Sequence, residues 1–331
     1  MGLVEVDETV CLGVAERVSG IKVKMEPEPQ LLASLDRETA LRVLLFFSAI
    51  NYDTRGLSGM VEGRYVRGSN YILSLMAKKA REDPAILDPK RMAELEIGDF
   101  ISWFGPLGEA RVPRRPGERV ALLRDTAERL LAQYGGSVLA LLEACSGRIG
   151  GPGGLRERLA SFKAFDDPLA KKTMVFAILA KKEGLWEPSD PENITVGVDY
   201  HLQRVALRSG MVKVVDEKLL RKLRARRFVS SREHHEIREA CLKAYTCVSE
   251  FSGLSQMEVD QIFWHIGRNC CRAEEPVCRG RRPCYKSKIC SLVGATDYNC
   301  QGYCPLDGVC EASLDPEKTK LKEPKVITYY Y

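Results

Sequence analysis

The sequence predicts a mostly helical protein. Apolar residues recur at the helical period from about Ser34 onward, and strand-like alternation is nearly absent. Two stretches open with a capping box, a serine followed three residues later by a glutamate, at Ser230 and at Ser255. Eight of the twelve cysteines lie between Cys270 and Cys310. The prediction is therefore an all-α fold with a cysteine-rich module after the last long helix.

The helices can be placed in order along the chain. The first segment ends in the breaker-rich MEPEPQ and is expected to be short and partly extended. SLDRETALRVLLFFSAIN begins with serine and aspartate at cap-like positions and then carries apolar side chains at helical spacing. ERVALLRDTAERLLAQYGG repeats this pattern and stops at Gly135 and Gly136, which predicts a C-terminal cap.

The two capped helices and the final residues complete the organisation. SQMEVDQIFWHIGRN leads directly to Cys270, and the closing LDPEKTKLKEPKVITYYY lacks helical periodicity, which predicts an extended surface tail. The predicted regions are an N-terminal segment, a helical domain, a cysteine module and the tail, at 1–30, 31–268, 269–312 and 313–331.

Composition describes an ordinary globular protein. The 331 residues are 45% apolar and 29% charged, and no run reaches the roughly 18 apolar residues of a membrane span. The start lacks the basic and apolar regions of a signal peptide. We therefore expect a cytoplasmic protein without a membrane partner, in which clustered thiols hold a metal more often than they form disulfides.

Basic residues are unevenly distributed along the chain. The net charge is +5, with dense basic stretches at KLLRKLRARR (218–227) and CRGRRPCYKSK (278–288). Such patches attract phosphates, so a nucleic acid or a nucleotide is the expected partner.

The segment 166–212 carries the candidate chemistry. It contains a helix with Lys171, Lys172 and Thr173, an extended ITVGV, and then Asp199 at the start of the helix DYHLQRVALRSG. A carboxylate at that position is the natural N-cap of the helix, and it also places a fixed negative charge there. Capping alone would explain Asp199 if this helix stood by itself.

The same segment resembles the helix-hairpin-helix base-excision glycosylases. That superfamily has a hairpin, a Lys-Thr helix start, and a Val-Asp-x-His-x-x-Arg-Val segment ending in Arg-x-Gly. The matching residues here are Lys172, Thr173, Val198, Asp199, His201, Arg204, Val205, Arg208 and Gly210. The resemblance implies a two-lobed helix-hairpin-helix fold and a monomeric DNA glycosylase that removes a damaged or modified base in base-excision repair. By this resemblance Asp199 stabilises the cation-like sugar or activates the nucleophile, and Lys172 is the Schiff-base amine of members with abasic-site lyase activity.

The cysteine module has its own resemblance. IGRNCCRAEEPVC and CPLDGVC are similar to the entry and exit phrases of the iron-sulfur loop in endonuclease III and the adenine mismatch glycosylase. The resemblance implies a 4Fe–4S cluster held by Cys271, Cys278, Cys304 and Cys310. Four thiolates also hold zinc, so zinc is the alternative metal.

Two departures from the family pattern leave alternatives open. The interval between Cys278 and Cys304 is long and carries Cys284, Cys290 and Cys300, so Cys300 could replace Cys278, or the run from Cys271 to Cys290 could bind the metal alone. Cys270, Cys284, Cys290 and Cys300 are thus the four cysteines of the module beyond the predicted ligands. The aligned hairpin, residues 166–170, has no glycine and two aspartates, which would repel a DNA phosphate if they faced it.

Two other functions remain as alternatives. FFSAINYD, EGRYVRGSNYILSLMAKKA and the Asp199-Tyr200 pair resemble the queuosine salvage glycosylases, which implies hydrolysis of a free modified nucleoside or nucleotide. A third function is a metal-stabilised nucleic-acid-binding scaffold. In either glycosylase, Tyr52 and Tyr65 are candidates for stacking on a base.

Overall fold

The computed structural model describes residues 2–24, 31, 32, 34–105, 112–280, 283, 284 and 290–331. The chain forms two compact units. The flanking unit comprises Met1–Met25 and Thr195–Thr328, and the inserted unit comprises Glu26–Ile194 and Tyr329–Tyr331. The boundary near residue 194 falls inside the predicted helical domain 31–268.

The inserted unit is built from helices and one hairpin. Strands β2 and β3 pair antiparallel, with Ser58 opposite Arg67. Its described elements are α2 (Arg37–Ile50), β2 (Ser58–Val61), β3 (Arg64–Arg67), α3 (Ser69–Glu82), α4 (Pro89–Ala93), α5 (Ile97–Ser102), α6 (Pro116–Tyr134), α7 (Val138–Ala144), α8 (Leu155–Ala160) and α9 (Lys171–Lys182).

The flanking unit is also mainly helical. Its two short strands pair antiparallel, with Val4 opposite Val214. Its described elements are β1 (Val4–Val6), α1 (Glu8–Val18), α10 (Tyr200–Ser209), β4 (Val212–Val214), α11 (Glu217–Arg224), α12 (Ser231–Ser252), α13 (Gln256–Asn269), α14 (Ser291–Ala295) and α15 (Glu311–Leu314). The prediction of a mostly helical fold is confirmed.

Local capping explains where several helices begin and end. Ser230 and Ser255 accept hydrogen bonds from the amides of Glu233 and Glu258, and both glutamate side chains bond back, so both predicted capping boxes are confirmed. Gly135 ends α6 in the left-handed conformation, as expected of a glycine C-cap.

The first residues contain more structure than the sequence pattern predicts. α1 begins at an N-cap, Asp7, whose side chain accepts from the amide of Val10. The helix packs on α12 through a fully buried face that includes Cys11 and Val14. The apolar spacing of α1 was the available signal, and a short helix becomes stable because tertiary packing buries that face. Residues 25–30, where the predicted segment ends, lie outside the described residues.

Segment 313–331 differs from the predicted surface tail. A 3₁₀ helix spans Pro316–Lys320, and the side chains of Leu321, Glu323 and Tyr331 are buried. Glu323 forms a buried ion pair with Arg204 at 2.8 Å. Because this long-range ion pair leaves no periodic pattern in the sequence, the sequence predicted an extended tail for this segment.

Two general features bear on function. Within the described residues, no helix is long and apolar enough to cross a membrane. All twelve cysteines, each of which is described, are free thiols. Most of the basic stretch 278–288 lies outside the described residues, which include 278–280, 283 and 284 of it.

Candidate active site and cysteine module

The hairpin before α9 is held by an aspartate that points inward. Asp167 is 4% exposed, and its carboxylate accepts from the amides of Leu169 at 3.2 Å and Lys171 at 3.0 Å. Ala170 takes the left-handed conformation, with φ of 52°, where a glycine would be unstrained. The hairpin therefore keeps its turn without glycine, and the Asp167 charge is used within the hairpin rather than presented to a phosphate.

Lys172, on the first turn of α9, is fully buried. Its Nζ donates to the carbonyl of Ala49, at the end of α2. Lys171 Nζ donates to the carbonyl of Asn51 at 3.2 Å. Arg119 Nη2 donates to the carbonyl of Tyr52 at 2.6 Å, and its Nη1 donates to Ile50. Three basic side chains thus donate to carbonyls at the end of α2, where a helix leaves carbonyls without intrahelical donors.

The ring of Tyr52 lies among these cations. The Arg119 guanidinium lies 4.0 Å from the ring centroid, that of Arg115 lies 4.7 Å away, and Lys172 Nζ lies 4.9 Å away. Tyr52 is 1% exposed, whereas Tyr65 on β3 is 58% exposed. Cation–π contacts therefore occupy Tyr52, and Tyr65 is the accessible member of the predicted stacking pair.

The surroundings of Lys172 make its amine a weak base. Burial lowers its pKa well below the ordinary lysine value, and the positive charges of Lys171 and Arg119 lower the pKa further, while Asp167 and Asp166 act in the opposite direction. Burial likewise lowers the pKa of Arg119 to about 10. An amine that loses its proton more readily is more available as a nucleophile.

Asp199 lies at the start of α10, as predicted, and this helix belongs to the flanking unit. Its Oδ1 accepts from the amides of His201 at 2.7 Å and Leu202 at 3.0 Å, and the residue is 6% exposed. The carboxylate is the N-cap of α10, so its position is fixed by the helix itself.

Glycines of the recognised phrases allow close packing around α10. A Cβ on Gly267 of α13 would lie 2.7 Å from the Cβ of His201, so α10 and α13 cross where only glycine fits. Gly210 ends α10 with φ of 89°, and a Cβ there would lie 2.4 Å from the side chain of Glu311. These contacts give a structural reason for both glycines.

The two motif arginines tie α10 to the cysteine module. Arg204 Nε donates to the carbonyl of Cys271 at 2.7 Å, and the Arg208 guanidinium donates to the carbonyls of Arg272 at 2.7 Å and Ala273 at 2.8 Å. Arg208 also contacts the Sγ of Cys271 at 3.7 Å. Although burial opposes it, the ion pair with Glu323 raises the pKa of Arg204. The helix that carries Asp199 and the first cysteines are therefore one packed assembly.

The predicted metal ligands line a common cavity. It contains about 390 Å³ of empty space, including the part open to solvent, and Arg208 lies on its wall. Its cysteines are the predicted ligands Cys271, Cys278, Cys304 and Cys310, together with Cys270. The donor set therefore fits a thiolate-held metal in kind and number. Across the described ranges, no three metal-binding side chains converge closely enough to hold an ion.

The remaining thiols lie apart from this cavity wall. Cys284, Cys290 and Cys300 do not line it, although the charges of Cys300 and Cys284, after burial, help to raise the pKa of Cys290. Cys270 was not one of the four predicted ligands, yet it lines the same cavity, and its proximity, together with burial, raises the pKa of the Cys304 thiol. Its adjacency to Cys271 was the only sequence signal for it.

The two predicted catalytic residues belong to different units, Lys172 to the inserted unit and Asp199 to the flanking unit. A comparison with protein families adds the decisive observation: the AGOG family, described as N-glycosylase/DNA lyase, matches residues 118–292. That match spans more than half of the 331 residues. The chain belongs to the AGOG family.

Membership in the AGOG family identifies the protein as a DNA glycosylase of the helix-hairpin-helix superfamily and an enzyme, as predicted. The match includes both Lys172 and Asp199. The match favours DNA as the substrate over the free nucleotide of the salvage alternative. It also favours an enzyme over the nucleic-acid-binding scaffold. No curated protein matches the chain.

Proposed function

We propose that this AGOG-family enzyme releases a damaged or modified base from DNA with the help of Asp199 and cleaves the resulting abasic site through Lys172. The observation that carries the proposal is the fully buried Lys172 amine, whose pKa is lowered by burial and by neighbouring cations. Structural lysines are normally exposed and charged, so an amine kept in this environment indicates a chemical use.

The chemistry assigned to Lys172 needs its neutral form. The nitrogen lone pair attacks C1′ of the abasic deoxyribose in its aldehyde form, and loss of water leaves a protonated Schiff base. Removal of a proton from C2′ then expels the 3′-phosphate and breaks the strand. The attack on C1′ starts from an amine without its proton, which the surroundings of Lys172 favour.

Asp199 is assigned to the preceding step. As the base departs, positive charge develops on the sugar, and a fixed carboxylate stabilises that charge. Capping of α10 supports this role because it holds Asp199 in one position before substrate binds, so little reorganisation is needed.

A duplex with one preformed abasic site tests the lysine without knowledge of the excised base. Borohydride should trap wild type as a covalent DNA adduct, and Lys172→Gln should give none. Lys171→Gln is the matched control, since it removes the neighbouring amine and should still give the adduct. An adduct that persists in Lys172→Gln and disappears in Lys171→Gln would assign the nucleophile to Lys171.

The excised base is addressed by a panel of duplexes, each with one altered base, alongside free queuosine and its monophosphate. Base release from a duplex is the expected result. Release from the free nucleosides alone would overturn the DNA assignment and restore the salvage alternative.

We further propose that Cys271, Cys278, Cys304 and Cys310 hold a 4Fe–4S cluster that stabilises the module. Their common cavity and the Arg208 contact to Cys271 support this assignment, because a nearby cation favours thiolate. The cluster would be structural, since metal binding by four thiolates supplies folding free energy to a loop of this kind.

Anaerobic purification tests the cofactor. Visible absorbance with iron and sulfide is expected, and Cys271→Ser should lose both. Cys145→Ser is the control, because Cys145 is buried in the inserted unit. A colourless protein containing zinc would replace the cluster with the alternative metal.

DNA contact is proposed for the basic face of α11. Leu219 and Leu223 are buried, while Lys218, Arg221 and Arg224 are exposed. Replacing these three by glutamine should weaken duplex binding and reduce its salt dependence. An unchanged salt slope would exclude this face. A cytoplasmic, monomeric enzyme remains the prediction.

A further inference from the structure

A tyrosine far along the chain lies against the proposed amine site. The hydroxyl of Tyr329 donates to the Asp166 carboxylate, with distances of 2.9 Å and 3.1 Å to its two oxygens. The ring centroid of the same residue lies 5.5 Å from Lys172 Nζ, within the range of a cation–π contact. These contacts all lie within the inserted unit.

Opposing influences set the pKa of Lys172, and Tyr329 contacts groups that contribute to them. Burial is the largest influence and lowers the pKa of the amine, whereas the negative charge of Asp166 raises it. The titratable and charged groups around this site are Lys171, Arg115, Glu118, Arg119, Asp166, Asp167, Tyr52 and Tyr329. Among them, Tyr329 contacts both the amine and one of its carboxylates.

We propose that Tyr329 is a positioning residue of the amine site: its ring shields Lys172 from water, and its hydroxyl fixes the nearby Asp166 carboxylate. The inference rests on the proposed role of Lys172 as the nucleophile. It adds a residue that none of the recognised motifs contains.

The two contacts of Tyr329 predict opposite effects in two variants. Tyr329→Phe keeps the ring but removes the hydrogen bond that holds the exposed Asp166 carboxylate near the amine. The carboxylate should then turn toward solvent, its charge should favour protonation of the amine less, and the pKa of the amine should fall. Tyr329→Ala also removes the ring and admits water, and relief of burial should dominate and raise the pKa. The acid limb of the pH profile for adduct formation should therefore move to lower pH in Tyr329→Phe and, by about one pH unit, to higher pH in Tyr329→Ala.

The experiment measures the initial rate of borohydride trapping on the abasic duplex across pH. Tyr330→Phe is the matched control, because it removes a hydroxyl from the adjacent ring, which packs edge-on against Tyr329 at 5.3 Å. Its profile should coincide with that of wild type. Thermal melting establishes that each variant is folded.

The outcomes separate this inference from the proposed function. If wild type forms no adduct, the role of Lys172 fails and the role of Tyr329 fails with it. If wild type forms the adduct and both Tyr329 variants show the same pH profile of trapping as wild type, only the positioning role is overturned. If Tyr329→Ala does not fold, Tyr329→Phe decides: a shift to lower pH supports the inference, and an unchanged profile rejects it.

Discussion

Lys172 and Asp199 both lie buried at the start of a helix, but their surroundings treat their charges in opposite ways. The amide groups at the start of α10 donate to Asp199, so local structure stabilises its negative charge. Around Lys172, burial and two neighbouring cations oppose the positive charge. The Asp199 carboxylate therefore stabilises the helix that it caps, whereas the buried Lys172 amine is maintained at a cost in stability.

This difference has a chemical reason. A carboxylate that stabilises a cation must stay charged, and an N-cap favours the charged form. An amine that attacks carbon must be neutral, and burial among cations favours the neutral form. Each region therefore suits the protonation state that its proposed step requires.

The largest expected effect tests the Asp199 side of the comparison. Asp199→Asn keeps a side-chain acceptor for the α10 amides but removes the charge, so base release should fall by about 10²–10³-fold with little loss of stability. Single-turnover base release measures this effect. Asp216→Asn is the control, since Asp216 caps α11 through the amide of Leu219 at 2.7 Å. Full activity in Asp199→Asn would remove the carboxylate from the reaction.

An intermediate effect tests the packing that positions Asp199. In Gly267→Ala, the new Cβ would meet His201, two residues after Asp199, and we expect a loss of about 2 kcal/mol in the free energy of unfolding together with slower base release. Urea denaturation measures the first quantity. Gly13→Ala is the control, because no atom lies within 4 Å of the added Cβ, and helix propensity should make it slightly stabilising. Equal stability of the two variants would contradict the close crossing of α10 and α13.

The smallest expected effect tests the Lys172 side of the comparison, and here the substitution should increase stability rather than reduce it. Lys172→Met removes a buried amine, so the melting temperature at neutral pH should rise by about 3 °C, the size of a 1 kcal/mol change in a unit of this length, although trapping is lost. The folded-state pKa of Lys172 lies below that of the unfolded chain. Wild type therefore loses stability as pH falls from the unfolded pKa of about 10.4 toward the folded pKa, and the advantage of Lys172→Met should shrink toward pH 10.

Melting curves from pH 6 to pH 10 measure this advantage. Lys182→Met, at the half-exposed end of the same helix, should give no such increase. A lower melting temperature for Lys172→Met would mean that its hydrogen bond to Ala49 outweighs the burial of its amine.

The sequence predicted those parts of the candidate site that depend on residues a few positions apart. The motif around Asp199 and the Lys-Thr pair pointed to both proposed catalytic residues, and the capping boxes located α12 and α13. It missed Arg119, Tyr52 and Tyr329 as neighbours of Lys172, because residues more than 50 positions apart in the chain carry no common pattern.

The cysteines show the same division. The family phrases favoured Cys271, Cys278, Cys304 and Cys310, but replacement of Cys278 by Cys300, or binding by the run from Cys271 to Cys290, stayed open. Folding of the loop brings all four to one cavity and adds Cys270, since α13 delivers the chain to the wall formed by Arg208.

The sequence by itself determined the helical class, the helix caps, the family motifs and the identity of the candidate nucleophile and carboxylate, because each depends on residues a few positions apart. Only the tertiary structure decided that Asp167 turns inward, that Lys172 is buried among cations, and that Tyr329 holds Asp166. Those features depend on which distant segments pack together, and packing sets the burial and the charge contacts from which the reactivity of a side chain follows.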